Sequence, residues 1–411
     1  MQQVLEQVEG NRIVELACNL ANIVSITGEE KEVAEYLGGE FERLGMQVEY
    51  QEVEEGRPNV IGTLKGRGGG ATLMFCAHMD HFDNPQETVI DGDRVYGRGL
   101  VNMKAAFPCY IEAVSALQKA GVQLRGDLII SGVVGEIEKA QIGRFQGKNY
   151  RGAGVGARYM MDHGVMADMC IIGEPTGLQL QIGNAGLLWA RVSVDGKATK
   201  FVLAAAKVAQ AIQDWEKEYQ RKNPHKFMLP TVQIGAIEGG NPFKPGTRPT
   251  TDIFVIVKML PGAVPLAIKR DIEQVCEKVR KRDSDILDIH VELYLTTPGY
   301  EISKSEYVVK AMERAHKMVF DQPVPYAKPI RYGITSDGSR IAAYGVPAIT
   351  YGPGFGTHLV DPTETKAGAE WDSPTGVRRG VGIDNMVNCT KVYAMAALDI
   401  CNRKKDEVAK A

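Results

Sequence analysis

The sequence predicts an α/β fold, with a mainly parallel sheet covered by helices on both faces and a smaller α+β domain inserted into it. Short, almost wholly apolar runs at 71–76, 127–134 and 168–172 alternate with helical patterns, as buried parallel strands do. Near Gly186 the pattern changes to strands with antiparallel potential and two helices, and after Pro298 the α/β pattern resumes. The expected domains are residues 1–186 with 298–411, and an inserted domain of residues 187–297.

In the first domain, two helices should precede the sheet, over residues 11–24 and up to about Leu44, where Gly45 ends the second. Hydroxyl and acidic residues at 25–30 favour a capped start for that second helix. The later elements are expected as strands 47–53, 59–64 and 71–76, helix 103–120, strand 127–134, helix 154–163 and strand 168–172.

The inserted domain should combine four strands with two helices, and Pro265 suits the first position of the second helix because no backbone donor is needed there. Its expected elements are strand 187–194, helix 200–215, strands 230–236 and 252–259, helix 265–280 and strand 288–295. The chain then returns to the first domain with helix 304–319, strand 347–351 and helix 384–401.

Composition describes an ordinary globular protein, with 44% hydrophobic and 24% charged residues in 411. A net charge of -3 gives no basic surface for nucleic acid or anionic membrane, so neither is an expected partner. The seven cysteines are scattered without a C-x-x-C pattern, which is typical of reduced core residues. The N-terminus lacks the pattern of a signal peptide and no stretch has transmembrane length, so a cytoplasmic location is expected.

Metal-competent and acidic side chains follow the ends of the apolar runs. They are His78 and Asp80, then Asn102, Glu136 and Glu138, Glu174, and His358. Histidines and carboxylates in loops after buried strands are the ligands of hydrolytic zinc or manganese sites, where the metal lowers the pKa of water and a carboxylate takes its proton. His81, beside this motif, is better explained by a hydrogen-bonded role in the loop than by metal binding.

These motifs in this order resemble the metallo-aminoacylase family, which contains acetylornithine deacetylase, succinyl-diaminopimelate desuccinylase, aminoacylase and glutamate carboxypeptidase. The matching motifs are His78-x-Asp80, Gly97-Arg98-Gly99 followed by Met103-Lys104, the glutamates at 136–138, Gly173-Glu174-Pro175-Thr176, and Gly352-Pro353-Gly354 with His358. The resemblance implies a divalent metal, zinc before manganese, cobalt or nickel, and a homodimer formed through the inserted lid or dimerisation domain.

The same resemblance implies a role for each matching residue. One metal would take His78 and Glu174, and a second would take His358 and a glutamate of the pair, with residue 102 bridging the two. Asp80 would orient His78, and Glu136 would be the general base. Lys200, Asn241, Asp337 and Arg340 match positions near the substrate.

Three positions depart from the family pattern. Residue 102 is Asn where a bridging Asp is usual, and a neutral amide oxygen compensates the repulsion between two cations less than a carboxylate does. One tightly held metal is therefore expected, either alone or with a second, weakly held one. Asn102 also suits the cap of a helix starting at Met103.

Ile137 separates the two glutamates, so either a bulge brings Glu138 to the metal or the second site lacks a ligand. Lys200 replaces a usual His, as a cationic substitute or as a solvated lysine.

The leading hypothesis is a metal-dependent hydrolase that cleaves the amide bond of a small N-acyl amino acid or a related amide. The departures leave two alternatives open: a single-metal aminohydrolase or deaminase acting on a different C–N bond, and a catalytically silent protein that binds a small molecule. A metal count and a substrate screen discriminate between the three.

Overall fold

The computed structural model describes residues 1–83, 86–226, 228–240, 250–327, 335–354 and 380–408. The chain divides into two compact units, the first formed by 1–183, 301–327 and 336–411, and the second by 184–300 with 328–335. The predicted domain boundaries, and the lid or dimerisation role of the inserted part, stay predictions. Within the described residues, every helix is too short or too polar to span a membrane.

The first unit is built on a six-stranded sheet, in the order β1-β2-β6-β3-β7-β14. Its strands are β1 (Gln47–Glu54), β2 (Arg57–Leu64), β3 (Leu73–His78), β6 (Leu128–Val133), β7 (Met169–Ile172) and β14 (Ala348–Thr350). The four strands β6, β3, β7 and β14 run parallel, and β2 and β1 join them in antiparallel pairs. All residues of β3, β6 and β7 are buried, which explains their continuous apolar runs and confirms the predicted fold class.

Nine helices are described in the first unit: α1 (Gln2–Glu6), α2 (Gly10–Asn22), α3 (Lys31–Arg43), α4 (Ala106–Lys119), α5 (Val155–Asp162), α8 (Tyr307–Phe320), α9 (Gly338–Ala342), α10 (Ile383–Cys401) and α11 (Lys405–Val408). An aromatic stack fixes β3 beneath α4 and α10. The ring of Phe75 lies 4.8 Å from that of Tyr110, which lies 4.9 Å from Tyr393, and the Tyr110 hydroxyl donates to the carbonyl of Cys76 at 3.0 Å. The strand that ends at the candidate site is therefore held by core packing.

Two predicted helix starts are wrong. The helix expected from Met103 begins at Ala106, because Gly99 adopts a left-handed conformation and residues 100–104 form one wide π-type turn in which Asn102 is extended. The helix expected soon after residue 25 begins at Lys31, without a side-chain cap. Side chains of both segments instead contact residues at the end of β3: Asn102 contacts His78, and Thr27 contacts Asp80. A further small sheet, β15-β5-β4, joins β4 (Val89–Asp91), β5 (Arg94–Tyr96) and β15 (Gly380–Gly382).

The second unit is an antiparallel sheet in the order β10-β11-β9-β12 with two helices. Its elements are β9 (Gly186–Gly196), α6 (Phe201–Lys222), β10 (Thr231–Gly239), β11 (Thr250–Met259), α7 (Pro265–Arg280) and β12 (Ile286–Thr297). Burial alternates along β11, and its inner face shares one apolar core with α6 and α7. Two short strands, β8 (Gly183–Asn184) and β13 (Tyr300–Glu301), lie where the chain passes between the units.

Candidate metal centre

Three neighbouring strands deliver the acidic and imidazole side chains to one edge of the sheet. His78 ends β3, Glu136 follows β6, and Glu174 follows β7. Because β3 lies between β6 and β7 and runs parallel to both, the carboxyl ends of all three meet. The three side chains are buried, and one possible ligand atom from each lies within 4.8 Å of the others.

The Nε2 atom of His78 faces oxygen atoms from three residues. It lies 3.0 Å from Asn102 Oδ1, 3.6 Å from Glu136 Oε2 and 3.9 Å from Glu174 Oε1. A single imidazole proton cannot satisfy three acceptors, whereas a divalent cation between them binds nitrogen and carboxylate oxygen together. The donor set therefore fits a metal ion, and we name His78, Glu136 and Glu174 the metal cluster.

The other ring nitrogen of His78 is held by Asp80. Nδ1 lies 2.9 Å from the main-chain carbonyl of Asp80 and 3.4 Å from its carboxylate oxygen Oδ1. A proton on Nδ1 satisfies these acceptors and leaves the lone pair of Nε2 directed at the metal cluster. Asp80 thus contacts His78, and the orienting role that the family resemblance implies for it stays a prediction.

Crowding of negative charge shifts the acidities at the cluster. Burial raises the pKa of Glu174 to about 8, although His78 opposes the shift. Burial also raises the pKa of Glu136 well above its usual range, assisted by the charges of Glu174 and Asp337. Burial alone lowers the pKa of His78, but Asp80 and the neighbouring carboxylates outweigh it and raise that pKa well above its usual value. All three shifts are typical of a site that lacks positive charge.

A family model, Peptidase family M20/M25/M40, matches residues 74–395, which include every residue of the metal cluster. The chain belongs to this family. It is accordingly a metal-dependent hydrolase that acts on amide C–N bonds, and the resemblance read from its motifs is confirmed.

Relatives within the M20 family are distant in sequence but extend over most of the chain. An N-formyl-4-amino-5-aminomethyl-2-methylpyrimidine deformylase from Bacillus subtilis is 21% identical, covering 91% of this chain and 90% of its own. A succinyl-diaminopimelate desuccinylase from Gluconobacter oxydans is 28% identical, covering 73% and 81%. The solved structure of a dinuclear metal-binding M20 peptidase from Bacillus subtilis shares the fold, with a TM-score of 0.69 at 13% identity over 95% of this chain and 98% of that one.

Asn102, where an M20 bridging Asp was expected, contacts His78 directly. Its Oδ1 atom lies against Nε2, and its backbone is extended, next to a cis peptide bond with Met103. The alternative reading of Asn102 as the cap of a helix from Met103 is wrong, because α4 begins three residues later and has no side-chain cap. The metal-binding role of Asn102 stays a prediction.

In the loop after β6, Ile137 separates Glu136 from Glu138. Ile137 is buried and its backbone N–H donates to Asp80, while Glu138 is half-buried and lies outside the three-residue metal cluster. Its charge still contributes to the raised pKa of both Glu136 and Glu174. A metal-ligand role for Glu138 stays a prediction.

The four predicted substrate-binding residues are distributed over both units. Asp337 and Arg340 lie at the start of α9 in the first unit, with Asp337 buried. Lys200 precedes α6 in the second unit, is exposed, and forms a 3.0 Å ion pair with Asp285. Asn241, like the predicted metal ligand His358, lies outside the described residues.

Sequence reasoning missed the N-terminal segment that supports the site. Thr27 Oγ1 donates to Asp80 Oδ2 at 2.8 Å, and Ser25 Oγ donates to the carbonyl of Met79 at 2.7 Å. The ammonium of Lys104 is buried and donates to the carbonyls of Leu20 and Ile23 and to Ser25 Oγ. The sequence pattern predicts helix-capping roles for these hydroxyls, and it carries no signal for their contacts with Met79 and Asp80.

His81 has the loop role that its sequence position favoured. Its Nε2 atom accepts a 3.1 Å hydrogen bond from the backbone of Ser25, and Nδ1 lies 2.5 Å from the carbonyl of Phe82. Burial, with the nearby charge of Lys104, lowers the pKa of His81 to about 4. A neutral His81 with its proton on Nδ1 satisfies both contacts.

Replacing Thr27 by valine should weaken the support of Asp80. The carboxylate of Asp80 also accepts backbone hydrogen bonds from Glu136 at 2.9 Å and Ile137 at 3.2 Å, so it joins the loops after β3 and β6. Losing one buried donor to a charged acceptor should lower the free energy of unfolding by about 1–3 kcal/mol, as measured by urea denaturation. Thr27→Ser keeps the hydroxyl and should lose less than half as much; equal losses would show that Oγ1 is unimportant.

Metal binding should weaken as the pH falls below about 8, because the proton on Glu174 must leave before its oxygen binds a cation. For the protein without metal, the linkage with folding has the opposite sign. Without metal, Glu174 has a raised pKa in the folded state, so its ionisation destabilises the fold as the pH rises from 4.5 to about 8.

Zinc should consequently raise the Tm more at pH 8 than at pH 6. For each proton that zinc displaces, its Kd should rise about tenfold for every pH unit by which the pH falls below about 8. The measurement is thermal unfolding and competition with a buffered chelator at both pH values. Glu174→Gln removes one of the titrating groups and should make this dependence less steep, leaving the part that is due to His78. An identical Kd at pH 6 and pH 8 in the unsubstituted protein would contradict the expectation.

Proposed function

We propose that the protein hydrolyses the amide bond of a small N-acylated amine or amino acid, with a zinc ion held at the metal cluster. The main observation that supports this proposal is the buried arrangement of His78, Glu136 and Glu174 at the carboxyl ends of three parallel strands. One tightly held ion is proposed, because Asn102 supplies a neutral oxygen at the predicted bridging position. The same proposal assigns a second, weakly held ion to His358 and Glu138.

A divalent cation held there would lower the pKa of a water molecule and polarise the substrate carbonyl. His78 and Glu174 are proposed as its ligands, and Asp80 fixes the ring of His78 through Nδ1. Glu136 is proposed to take a proton from the attacking water and to return it to the leaving nitrogen. Burial raises the pKa of Glu136, and a raised pKa makes its carboxylate a stronger base.

The substrate class is supported by what the M20 relatives are called. The Bacillus subtilis relative is a deformylase of an aminomethylpyrimidine, and the Gluconobacter oxydans relative is a desuccinylase of diaminopimelate. Both names describe removal of a small acyl group from an amine. We propose the same kind of reaction for this chain, in the cytoplasm and as a homodimer formed through the second unit, with Lys200 and Asn241 contributing to substrate binding.

A panel of N-formyl, N-acetyl and N-succinyl amines tests the proposed reaction. The purified protein is loaded separately with zinc, manganese, cobalt or nickel, its metal content is measured, and release of the free amine and the carboxylate is followed. Hydrolysis of at least one class, dependent on added metal, is expected. Release of ammonia with the acyl group retained would instead indicate the deaminase alternative that Asn102 motivates, and no turnover on any amide would reject the proposal.

A further inference from the structure

Asp337 is a buried carboxylate that the proposed reaction does not use. Asp337 is only 1% exposed, and neither of its carboxylate oxygens accepts a hydrogen bond from any described residue. Leaving a buried charged acceptor unpaired is costly, so such groups are normally paired or serve a ligand. The position of Asp337 is therefore informative about what enters the site.

Asp337 lies beside the start of α5 and close to the metal cluster. A Cβ atom added to Gly154 would come within 3.3 Å of Asp337 Oδ1, which places that oxygen directly against the helix start. Its charge acts on both Glu136 and Glu174, raising the pKa of each. The carboxylate is thus near the carboxyl ends of the same strands that carry the ligands.

The neighbouring arginine interacts electrostatically with Asp337, but it does not hydrogen-bond to the carboxylate. The guanidinium of Arg340 donates through Nε at 3.3 Å and Nη2 at 2.9 Å to the carbonyl of Ala153, and its hydrogen bonds do not reach the Asp337 oxygens. Ala153 in turn donates its N–H to the carbonyl of Ile137, so this guanidinium braces the loop after β6. Arg340 therefore compensates part of the charge of Asp337, while both carboxylate oxygens still lack a hydrogen-bond donor among the described residues.

Charge near the site favours a positive group on the ligand. The described carboxylates whose charges interact there are those of Asp80, Glu136, Glu138, Glu174 and Asp337. A single divalent cation with Arg340 compensates fewer negative charges than these five carboxylates carry. A positively charged nitrogen at Asp337 would supply both the missing hydrogen-bond donor and the missing charge.

We propose that Asp337 is a specificity-determining residue that binds a cationic or amidine-like nitrogen group of the substrate, so that the preferred amides carry an amine in addition to the scissile bond. The inference rests on the proposed amide hydrolysis for its reaction, but binding at Asp337 is separable from turnover. The subsite selects amine-bearing amides over neutral ones of the same length. Protonated Asp337 would bind such a cation poorly, and the cation in turn favours the ionised carboxylate.

Paired substrates that differ only in charge test this subsite. Nα-acetyl-L-ornithine and its neutral isostere Nα-acetyl-L-norleucine are compared with zinc-loaded protein, and kcat and KM are measured for each. Asp337→Asn should raise KM for the ornithine derivative about 10- to 100-fold and change that for the norleucine derivative less than threefold. Asp337→Glu keeps the charge and should recover part of the preference. Equal loss with both substrates would overturn the proposal.

Two further measurements separate this inference from the reaction itself. Metal content is determined for each variant, and a loss of zinc in Asp337→Asn would make Asp337 a metal ligand and overturn the subsite. Calorimetric binding of L-ornithine, L-norleucine and 4-aminopyrimidine is compared between the zinc-loaded unsubstituted protein and zinc-loaded Asp337→Asn. If no amide is hydrolysed, the proposed function fails, while tighter binding of the two basic ligands that is lost in Asp337→Asn still supports the subsite. Absence of that preference in the unsubstituted protein refutes it.

Discussion

Replacing Glu136 by glutamine should lower kcat by about 10²–10⁴-fold, the usual contribution of a positioned general base. Glutamine retains the size and one carbonyl oxygen of the side chain, but it cannot accept the proton from water. The backbone N–H of residue 136 still donates to Asp80, so the loop after β6 should keep its place. Rates are measured on a substrate identified by the amide panel, together with the metal content of the purified variant.

Two comparisons make this result specific to proton transfer. Glu136→Asp keeps an acidic group but shortens it, and should lie between the unsubstituted protein and Glu136→Gln in kcat. Glu42→Gln, an exposed position on α3, controls for the loss of one carboxylate from the chain and should leave the rate unchanged. A Glu136→Gln protein that turns over at full rate would end the general-base assignment, and one that loses its metal would show that Glu136 is a ligand.

Asn102→Asp should increase metal binding more than any other single change near the site. The Oδ1 atom already lies 3.0 Å from His78 Nε2, so aspartate places a negative oxygen at the cluster without lengthening the side chain. The gain should exceed about 1.4 kcal/mol, which is a tenfold lower Kd. A second ion should also become measurable, because a carboxylate bridges two cations through two oxygens whereas an amide offers one.

Metal stoichiometry by elemental analysis and Kd by chelator competition are the measurements, with zinc and manganese tested separately. Asn102→Ala provides the opposite control, since it removes the oxygen and should weaken binding of the first ion. If the unsubstituted protein already holds two ions and Asn102→Asp changes neither count nor affinity, the single-ion proposal is wrong.

The sheet was predictable because its central strands are buried on both faces. The apolar runs that became β3, β6 and β7 could be read directly, and parallel order then required their polar successors to meet at one edge. The grouping of His78 with Glu136 and Glu174 follows from that reasoning. Family resemblance supplied the roles that geometry alone does not assign.

The helix-cap predictions were wrong where polar side chains make tertiary contacts instead of capping a helix. Asn102 and Thr27 have the chemistry of capping residues, yet their oxygens contact His78 and Asp80 across 24 and 53 positions of sequence. The buried ammonium of Lys104 is another case, because its three acceptors lie on an N-terminal segment far away in the chain. Such pairings depend on the folded arrangement and leave no periodic signal.

Through the hydrogen bond from Thr27 to Asp80, the N-terminal segment supports the metal cluster, although it lies outside the residues that the family model matches. The family model begins at residue 74, but the oxygen that steadies Asp80, and the carbonyls that hold Lys104, belong to residues 20–27. A shortened chain starting near residue 74 would keep every residue of the metal cluster and still lose the contacts that orient it. A minimal catalytic fragment should therefore extend beyond the matched residues 74–395 and should include α2 and the segment that follows it.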